Sequence, residues 1–171
     1  MALRDLFDRT AAAAPAARPA APQPQAPGTR IGYDPLLLDQ LRRDHRKLLD
    51  LFAVTQALLS SRDYAGVQRK LGEFRVTLQD HLLTANTKLY IYVSRQLADD
   101  PVYSSLINTV RRDMLDNSRQ IMEFLRTYSG MRLDDQSGQM FQTELMSIGE
   151  ALMQRIEREE SSLFPLYQAN Y

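Results

Sequence analysis

A chain of 171 residues is long enough for one domain with a tail. Its 21 basic and 21 acidic residues cancel, so no overall positive field indicates direct nucleic-acid binding. It has no cysteine, which excludes disulfides, thiolate catalysis and cysteine-based metal clusters, and only two histidines. No apolar run suits a membrane span, and two aspartates interrupt the first ten residues where a secretory signal is apolar. We therefore expect a cytoplasmic protein of bacterial type.

The first 33 residues are predicted to be a disordered tail ahead of a domain that spans residues 34–171. Residues 11–28 contain nine Ala and five Pro, a composition typical of a semi-extended linker that builds no core. Ahead of the linker, residues 2–7 form the short amphipathic sequence Ala-Leu-Arg-Asp-Leu-Phe. This peptide is either a frayed terminus or a docking segment whose reach the linker sets.

Four long helices are predicted after the tail, because apolar residues recur three and four positions apart. They cover about residues 34–61, 64–96, 100–130 and 138–168. The short connections between them imply antiparallel neighbours. The predicted fold class is all-α, an up-down-up-down antiparallel four-helix bundle.

Local signals mark the helix ends. The pairs Asp34-Pro35 and Asp100-Pro101 each place a capping residue before a proline at the first helical position. Gly130 is expected to end the third helix as a left-handed C-cap. Gly149 costs about 1 kcal/mol relative to alanine in mid-helix, so we expect close packing or a functional approach there.

Each helix places a polar residue on its predicted core face. The inward residues are His45 on the first helix, His81 on the second, Asn117 on the third, and Arg155 with Glu159 on the fourth. Burying such groups is costly unless they are paired, so we expect them to meet. Arg155 lies one turn before Glu159, close enough for an ion pair.

Three segments of the predicted helices begin at Leu41, His81 and Arg155 and read LRRDHRKLLDLF, HLLTANTKLYIYV and RIEREESSLFPLY. Together they resemble the hemerythrin-like HHE cation-binding domains, and the resemblance covers about residues 36–167. In that family, histidines on each helix and His-x-x-x-Glu pairs on the second and fourth helices bind two irons. The resemblance implies that His45, His81 and Glu159 are metal ligands.

The chain departs from that family at three ligand positions, where it has Ala85 instead of Glu, and Asn117 and Arg155 instead of His. A di-iron centre needs about five or six protein ligands, and three cannot hold it. We predict that Arg155 occupies the place of the cations, paired with Glu159, and that Ala85 leaves room for it.

The predicted polar cluster that replaces the metal comprises Arg155, Glu159, His81 and Asn117. No cofactor is expected on this interpretation. The alternative is a single weakly bound iron or other divalent cation held by His45, His81 and Glu159, since two histidines and one carboxylate can bind iron.

Two further segments lie on the third and fourth helices: residues 117–124, NSRQIMEF, and residues 141–164, which include Ile148-Gly149-Glu150-Ala151-Leu152. They resemble the regulator-of-sigma-D group of bacterial anti-sigma proteins. That group consists of four-helix bundles without a metal centre that bind the promoter-recognition domain of the housekeeping sigma factor. The resemblance implies a partner in the transcription machinery.

The favoured functional hypothesis is a non-catalytic hemerythrin-like bundle that acts as a protein-interaction or regulatory module. Tyr90 and Tyr92 support it, since they are expected on different faces and at least one should be exposed for contact. The alternatives are an iron- or oxygen-binding sensor or storage protein with a reduced metal site, and an anti-sigma regulator. No Ser-His-Asp arrangement, phosphate loop or complete metal set indicates an enzyme.

Overall fold

The computed structural model describes residues 24–169, which form the predicted all-α bundle of four helical rods. The amphipathic peptide and most of the predicted linker lie outside this range. No helix in the described part of the chain is long and apolar enough to cross a membrane. The elements are α1 (Leu37–Ser60), α2 (Tyr64–Thr84), a first π turn (Ala85–Tyr90), α3 (Ile91–Gln96), α4 (Pro101–Ser129), α5 (Asp135–Arg158), a second π turn (Glu159–Leu163) and a 3₁₀ turn (Phe164–Leu166).

Aspartate side chains cap the starts of α2, α4 and α5, at Asp63, Asp100 and Asp134. Asp100 Oδ1 accepts hydrogen bonds from the N–H groups of Val102 and Tyr103 at 2.9 and 3.2 Å, as its sequence predicted. Asp34 Oδ1 accepts from the Leu36 N–H at 3.0 Å, but α1 itself begins only at Leu37. The fourth rod starts earlier than predicted, because Asp134 forms a capping box at the start of α5.

The prediction of a left-handed cap at Gly130 was wrong. Gly130 has φ −105° and ψ −3°, a right-handed conformation that needs no glycine. The left-handed conformation is found instead at Arg62, with φ 59°, in the turn between α1 and α2. That turn joins two antiparallel rods through only three residues, and this reversal needs one residue in the left-handed region.

Two apolar clusters fill the interior, and a layer of polar side chains separates them. Leu48, Leu78 and Ile121 belong to the cluster near the α1–α2 turn. Leu41 and Met114 belong to the cluster at the opposite end. Between the two clusters lie five buried polar residues, which we call the polar layer: His45, His81, Ser118, Arg155 and Glu159.

Residues 24–33, which we call the strap, cross the end of the bundle where α1 begins. An isolated antiparallel bridge joins Gln25 to Gly32. Ala26 is buried in the apolar cluster at that end, and Tyr33 stacks on Tyr167 with ring centroids 4.9 Å apart. The strap therefore differs from the linker expected there, because it contributes side chains to the core.

Tyr90 and Tyr92 are both buried, so the expectation that at least one is exposed was wrong. Tyr90 points towards the polar layer, where its hydroxyl donates to Glu159. Tyr92 lies against Tyr33 and Tyr167, with ring centroids 6.0 and 4.9 Å away. Tyr33 of the strap thus covers the face of the second rod that carries Tyr92, a face that the sequence pattern did not predict to be buried.

Gly149 lies against the ring of Phe52. A Cβ atom built on Gly149 would lie 2.3 Å from the Phe52 Cζ, far inside van der Waals contact. Close packing, one of the two expected reasons for this glycine, is therefore confirmed. It lets α1 and α5 approach each other closely beside the apolar cluster near the α1–α2 turn.

Candidate functional site

The carboxylate of Glu159 is the centre of the polar layer and is fully buried. Its Oε2 atom lies 2.9 Å from Nε2 of His45 and 3.1 Å from Nε2 of His81. Its Oε1 atom accepts a hydrogen bond from the Tyr90 hydroxyl at 3.0 Å and lies 3.4 Å from Nη2 of Arg155. The predicted meeting of His45, His81 and Glu159 is thus observed, and Tyr90 is a contact that the sequence interpretation missed.

Hydrogen bonds and a neighbouring positive charge keep Glu159 ionised. Burial raises the pKa of this carboxyl, but hydrogen bonds from His45 and His81 and the charge of Arg155 outweigh burial and hold the pKa well below its ordinary value. At Tyr90, burial and then the charge of Glu159 raise the pKa well above the usual range. Tyr90 is therefore a neutral hydrogen-bond donor to a charged acceptor.

Arg155 is buried with its guanidinium held on several sides. Nη1 donates to the Met114 carbonyl at 2.9 Å and to Ser118 Oγ at 2.8 Å, while Nη2 faces Glu159. The predicted ion pair between Arg155 and Glu159 is present, with both side chains almost fully excluded from solvent. Nε of Arg155 has no hydrogen-bond partner among the described residues.

Ser118, rather than Asn117, is the residue by which α4 joins the polar layer. Asn117 is only half-buried, whereas Ser118 is buried and contacts the Arg155 guanidinium. The prediction was out of phase by one position, which on a helix rotates a side chain by about 100°. Ala85, predicted to leave room on the second rod, is fully buried and begins the first π turn.

Carboxylates also lie behind both histidines. Nδ1 of His45 lies 2.7 Å from Oε1 of Glu160, so its two ring nitrogens face two consecutive glutamates. Nδ1 of His81 lies 3.7 Å from Oδ2 of Asp44, beyond hydrogen-bond distance, and has no other partner among the described residues. Glu160 is itself partly exposed, and the Glu159-Glu160 doublet was the only sequence signal for its contact.

An aromatic ring closes the site on the side of α1 and α5. The Phe164 ring lies nearly parallel to the His45 ring, with centroids 5.8 Å apart. The Arg42 guanidinium lies 5.2 Å from the centroid of the same Phe164 ring. Three basic residues that lie close to His45 along α1 are exposed and form a solvated face: Arg43, Arg46 and Lys47.

A protein-family model matches most of the chain on which this geometry rests. The model is that of the hemerythrin HHE cation-binding domain, and it matches residues 36–167.

The chain belongs to the hemerythrin HHE family.

Searches of curated proteins and of solved structures found no match. The family match agrees with the four-helix fold and covers the polar layer.

The family implies a bound cation, and the residues present do not fit a di-iron centre. Within residues 24–169, one group of possible ligands is found, His45, His81 and Glu159, whose ligand atoms lie within 4.8 Å of one another. The layer residues on α4 and α5 add a hydroxyl and a guanidinium, and Ala85 adds no ligand. The donor set is sufficient for one divalent ion and too small for two.

Proposed function

We propose that this hemerythrin-like bundle is a non-catalytic protein-interaction or regulatory module in which the Arg155 guanidinium takes the place of a bound cation. The observation that carries the proposal is the buried guanidinium, 3.4 Å from Glu159 and hydrogen-bonded to Ser118. A divalent ion beside it would meet a like charge in a medium that screens charge poorly. The negative charge of Glu159 is already compensated.

A measurement of bound iron tests whether Arg155 takes the place of a cation. We expect the purified protein, loaded anaerobically with ferrous iron and desalted, to retain well below one iron per chain. Arg155→His returns a metal-binding group to the position where the family has histidine, so this variant is expected to retain more iron. Arg158→His, three residues further along α5 on an exposed side chain, is the matched control. One iron or more per wild-type chain after desalting, with the absorption band of an oxo bridge once air is admitted to oxidise the iron, would contradict the proposal.

The alternative with structural support is a mononuclear metal site. His45 and His81 direct their Nε2 atoms at one carboxylate oxygen of Glu159, and each has a carboxylate on its Nδ1 side. Metal-bound histidines commonly direct their second nitrogen at such a carboxylate. These three residues would hold the ion, which would supply open coordination positions for a small ligand such as oxygen.

A cobalt titration tests this alternative without requiring activity. Saturable binding of one Co²⁺ per chain with visible bands, lost in His81→Gln and retained in the exposed Asp39→Asn control, would favour the mononuclear site. No bands at millimolar Co²⁺ would remove it.

The regulatory role needs a protein partner. The resemblance of residues 117–124 and 141–164 to anti-sigma proteins supports one candidate, the promoter-recognition domain of the housekeeping sigma factor. Binding of the full chain to that domain is expected in a fluorescence titration, with an unrelated four-helix bundle as the control. The absence of binding at tens of micromolar would eliminate this partner.

A further inference from the structure

The first turns of α4 expose three neighbouring apolar side chains, Val102, Tyr103 and Leu106, which we call the α4 patch. They are 75%, 42% and 46% exposed. Tyr103 lies one turn before the buried Ile107, and so on the core-facing side of the helix. A residue in that position is normally covered.

The patch is open because α5 ends before reaching it. Asp113 pairs with Arg158, which fixes the antiparallel register of α4 against α5. Leu106 lies two turns before Asp113, about level with the 3₁₀ turn of residues 164–166, and Val102 lies one turn further. At Tyr167 the backbone becomes extended, with φ −83° and ψ 91°. The helix that covers the rest of α4 is therefore absent at its first turn.

The described chain begins at the same end of the bundle. Ala26 of the strap is 1% exposed and belongs to the same buried cluster as Ile107. The Pro24 carbonyl accepts a hydrogen bond from the Tyr33 N–H at 2.7 Å, which ties the first described residue to the strap. Pro24, to which residues 1–23 are joined, therefore lies at the end of the bundle that carries the α4 patch.

We propose that residues 2–7 of the same chain dock on the α4 patch. Leu3, Leu6 and Phe7 are spaced three and four apart, so one helical turn would present all three on one side. Arg4 is complementary in charge to the exposed Asp99 beside the patch.

The linker is long enough for this contact. Residues 11–23 span up to about 40 Å at about 3 Å per residue in a proline-rich segment. Two adjacent helices measure about 20 Å across, so the whole end of the bundle lies within reach.

The small size of the patch favours a tethered occupant over a second copy. Stable complexes between separate chains bury on the order of 1,000 Å² or more, which three side chains do not provide. A short flexible linker raises the effective concentration of its own peptide to the millimolar range, so a weak contact is sufficient within one chain. This docking does not depend on the metal content of the core.

Photocrosslinking of the full chain tests the proposal. A photoreactive benzoylphenylalanine replaces Phe7, and irradiated protein is separated by size and digested with trypsin. We expect a crosslink in the monomer band between the peptide that contains position 7 and the peptide of residues 96–111. The Val102→Asp/Leu106→Asp variant should lose it, whereas Leu83→Asp, which changes another exposed leucine (64% exposed), should retain it.

Three results would overturn the proposal. One is a crosslink confined to covalent dimers, with a yield that rises with protein concentration, since it would identify a second copy as the occupant. Another is a set of crosslinks spread over several peptides. The third is a crosslink to residues 96–111 whose yield is the same in the Val102→Asp/Leu106→Asp variant as in the protein with an unchanged α4 patch. Circular dichroism of each variant shows that the bundle is folded.

Discussion

At Glu159, burial and hydrogen bonding act on one carboxylate in opposite directions. Burial alone would favour the neutral acid, but two imidazoles, a phenol and a guanidinium all donate to the charged form. The polar layer therefore holds an ionised group that is stable only while its partners stay in place. Removal of one partner leaves a buried charge with less compensation.

Replacement of Arg155 by methionine should reveal this dependence. Methionine fills a similar volume but supplies no charge, so we expect Arg155→Met to lower the free energy of unfolding by about 3 kcal/mol. Arg158→Met is the matched control on the same helix, because Arg158 pairs with Asp113 at the surface and should cost less than about 1 kcal/mol. Urea denaturation of both variants measures the difference. Equal losses would show that Glu159 does not depend on Arg155.

The two mid-helix glycines should respond oppositely to alanine. Gly72 on α2 has open space where a Cβ would lie, so Gly72→Ala should raise the free energy of unfolding by up to about 1 kcal/mol. Gly149→Ala should lower it, because the new methyl group would collide with the Phe52 ring.

Thermal unfolding of the two variants provides the comparison. The smaller side chain of Phe52→Leu should recover part of the loss in a Phe52→Leu/Gly149→Ala double variant. Stabilisation by Gly149→Ala alone would mean that the helices separate there at little cost.

At the scale of the element, the start of α5 should be sensitive to acid. Hydrogen bonds from the Ser137 backbone and side chain lower the pKa of Asp134 below its ordinary value of 3.8. The charged cap therefore adds stability that is fully present above pH 3.8 and is lost as the pH falls through the lowered pKa. Asparagine caps a helix equally well but does not titrate.

The stability advantage of wild type over Asp134→Asn should consequently shrink between pH 5 and pH 2, measured as the difference in unfolding temperature. Asp116→Asn, which removes a surface contact to Arg119, serves as the control. A difference that is constant over this range would contradict the role of the charged cap.

The helices were predictable because their signals are local. The spacing of apolar residues predicted the four rods, and the pair Asp100-Pro101 predicted the start of α4, which the structure reproduces. The two π turns were not predictable, since they arise where Tyr90 and Glu159 meet across the bundle, a contact between residues far apart in sequence. The same limit explains why Asn117 was predicted in place of Ser118. The rotation of α4 about its axis is fixed by its packing against the neighbouring helices, and the apolar pattern of the sequence leaves that rotation uncertain by about one residue.

At the scale of the molecule, one hydroxyl group joins the two ends of the described chain. Tyr167 accepts a hydrogen bond from the Asp34 N–H at 2.8 Å and donates to the Asp34 carbonyl at 3.3 Å. Burial raises the pKa of Tyr167 to about 12, so the hydroxyl keeps its proton at ordinary pH. The strap is therefore held by the last turn of the fourth rod, and this contact was not visible in the sequence.

Tyr167→Phe should loosen the strap while leaving the helices in place. Loss of one hydrogen bond, worth about 1 kcal/mol, should speed amide exchange at Asp34 and Tyr33 by about fivefold. Hydrogen-exchange mass spectrometry measures the exchange rate of these amides. Tyr128→Phe removes a hydroxyl at the opposite end and should not alter exchange in the strap. Unchanged exchange in Tyr167→Phe would show that ring stacking alone holds the strap.

Arg155 also affects how the bundle depends on its surroundings. A guanidinium cannot be extracted by a chelator, exchanged for a competing metal or oxidised by dioxygen. A structural metal ion, by contrast, makes folding depend on metal supply. On the proposed function, the cohesion that Arg155 gives the polar layer is encoded in the chain itself, and it would be the same in an iron-starved cell as in an iron-replete one.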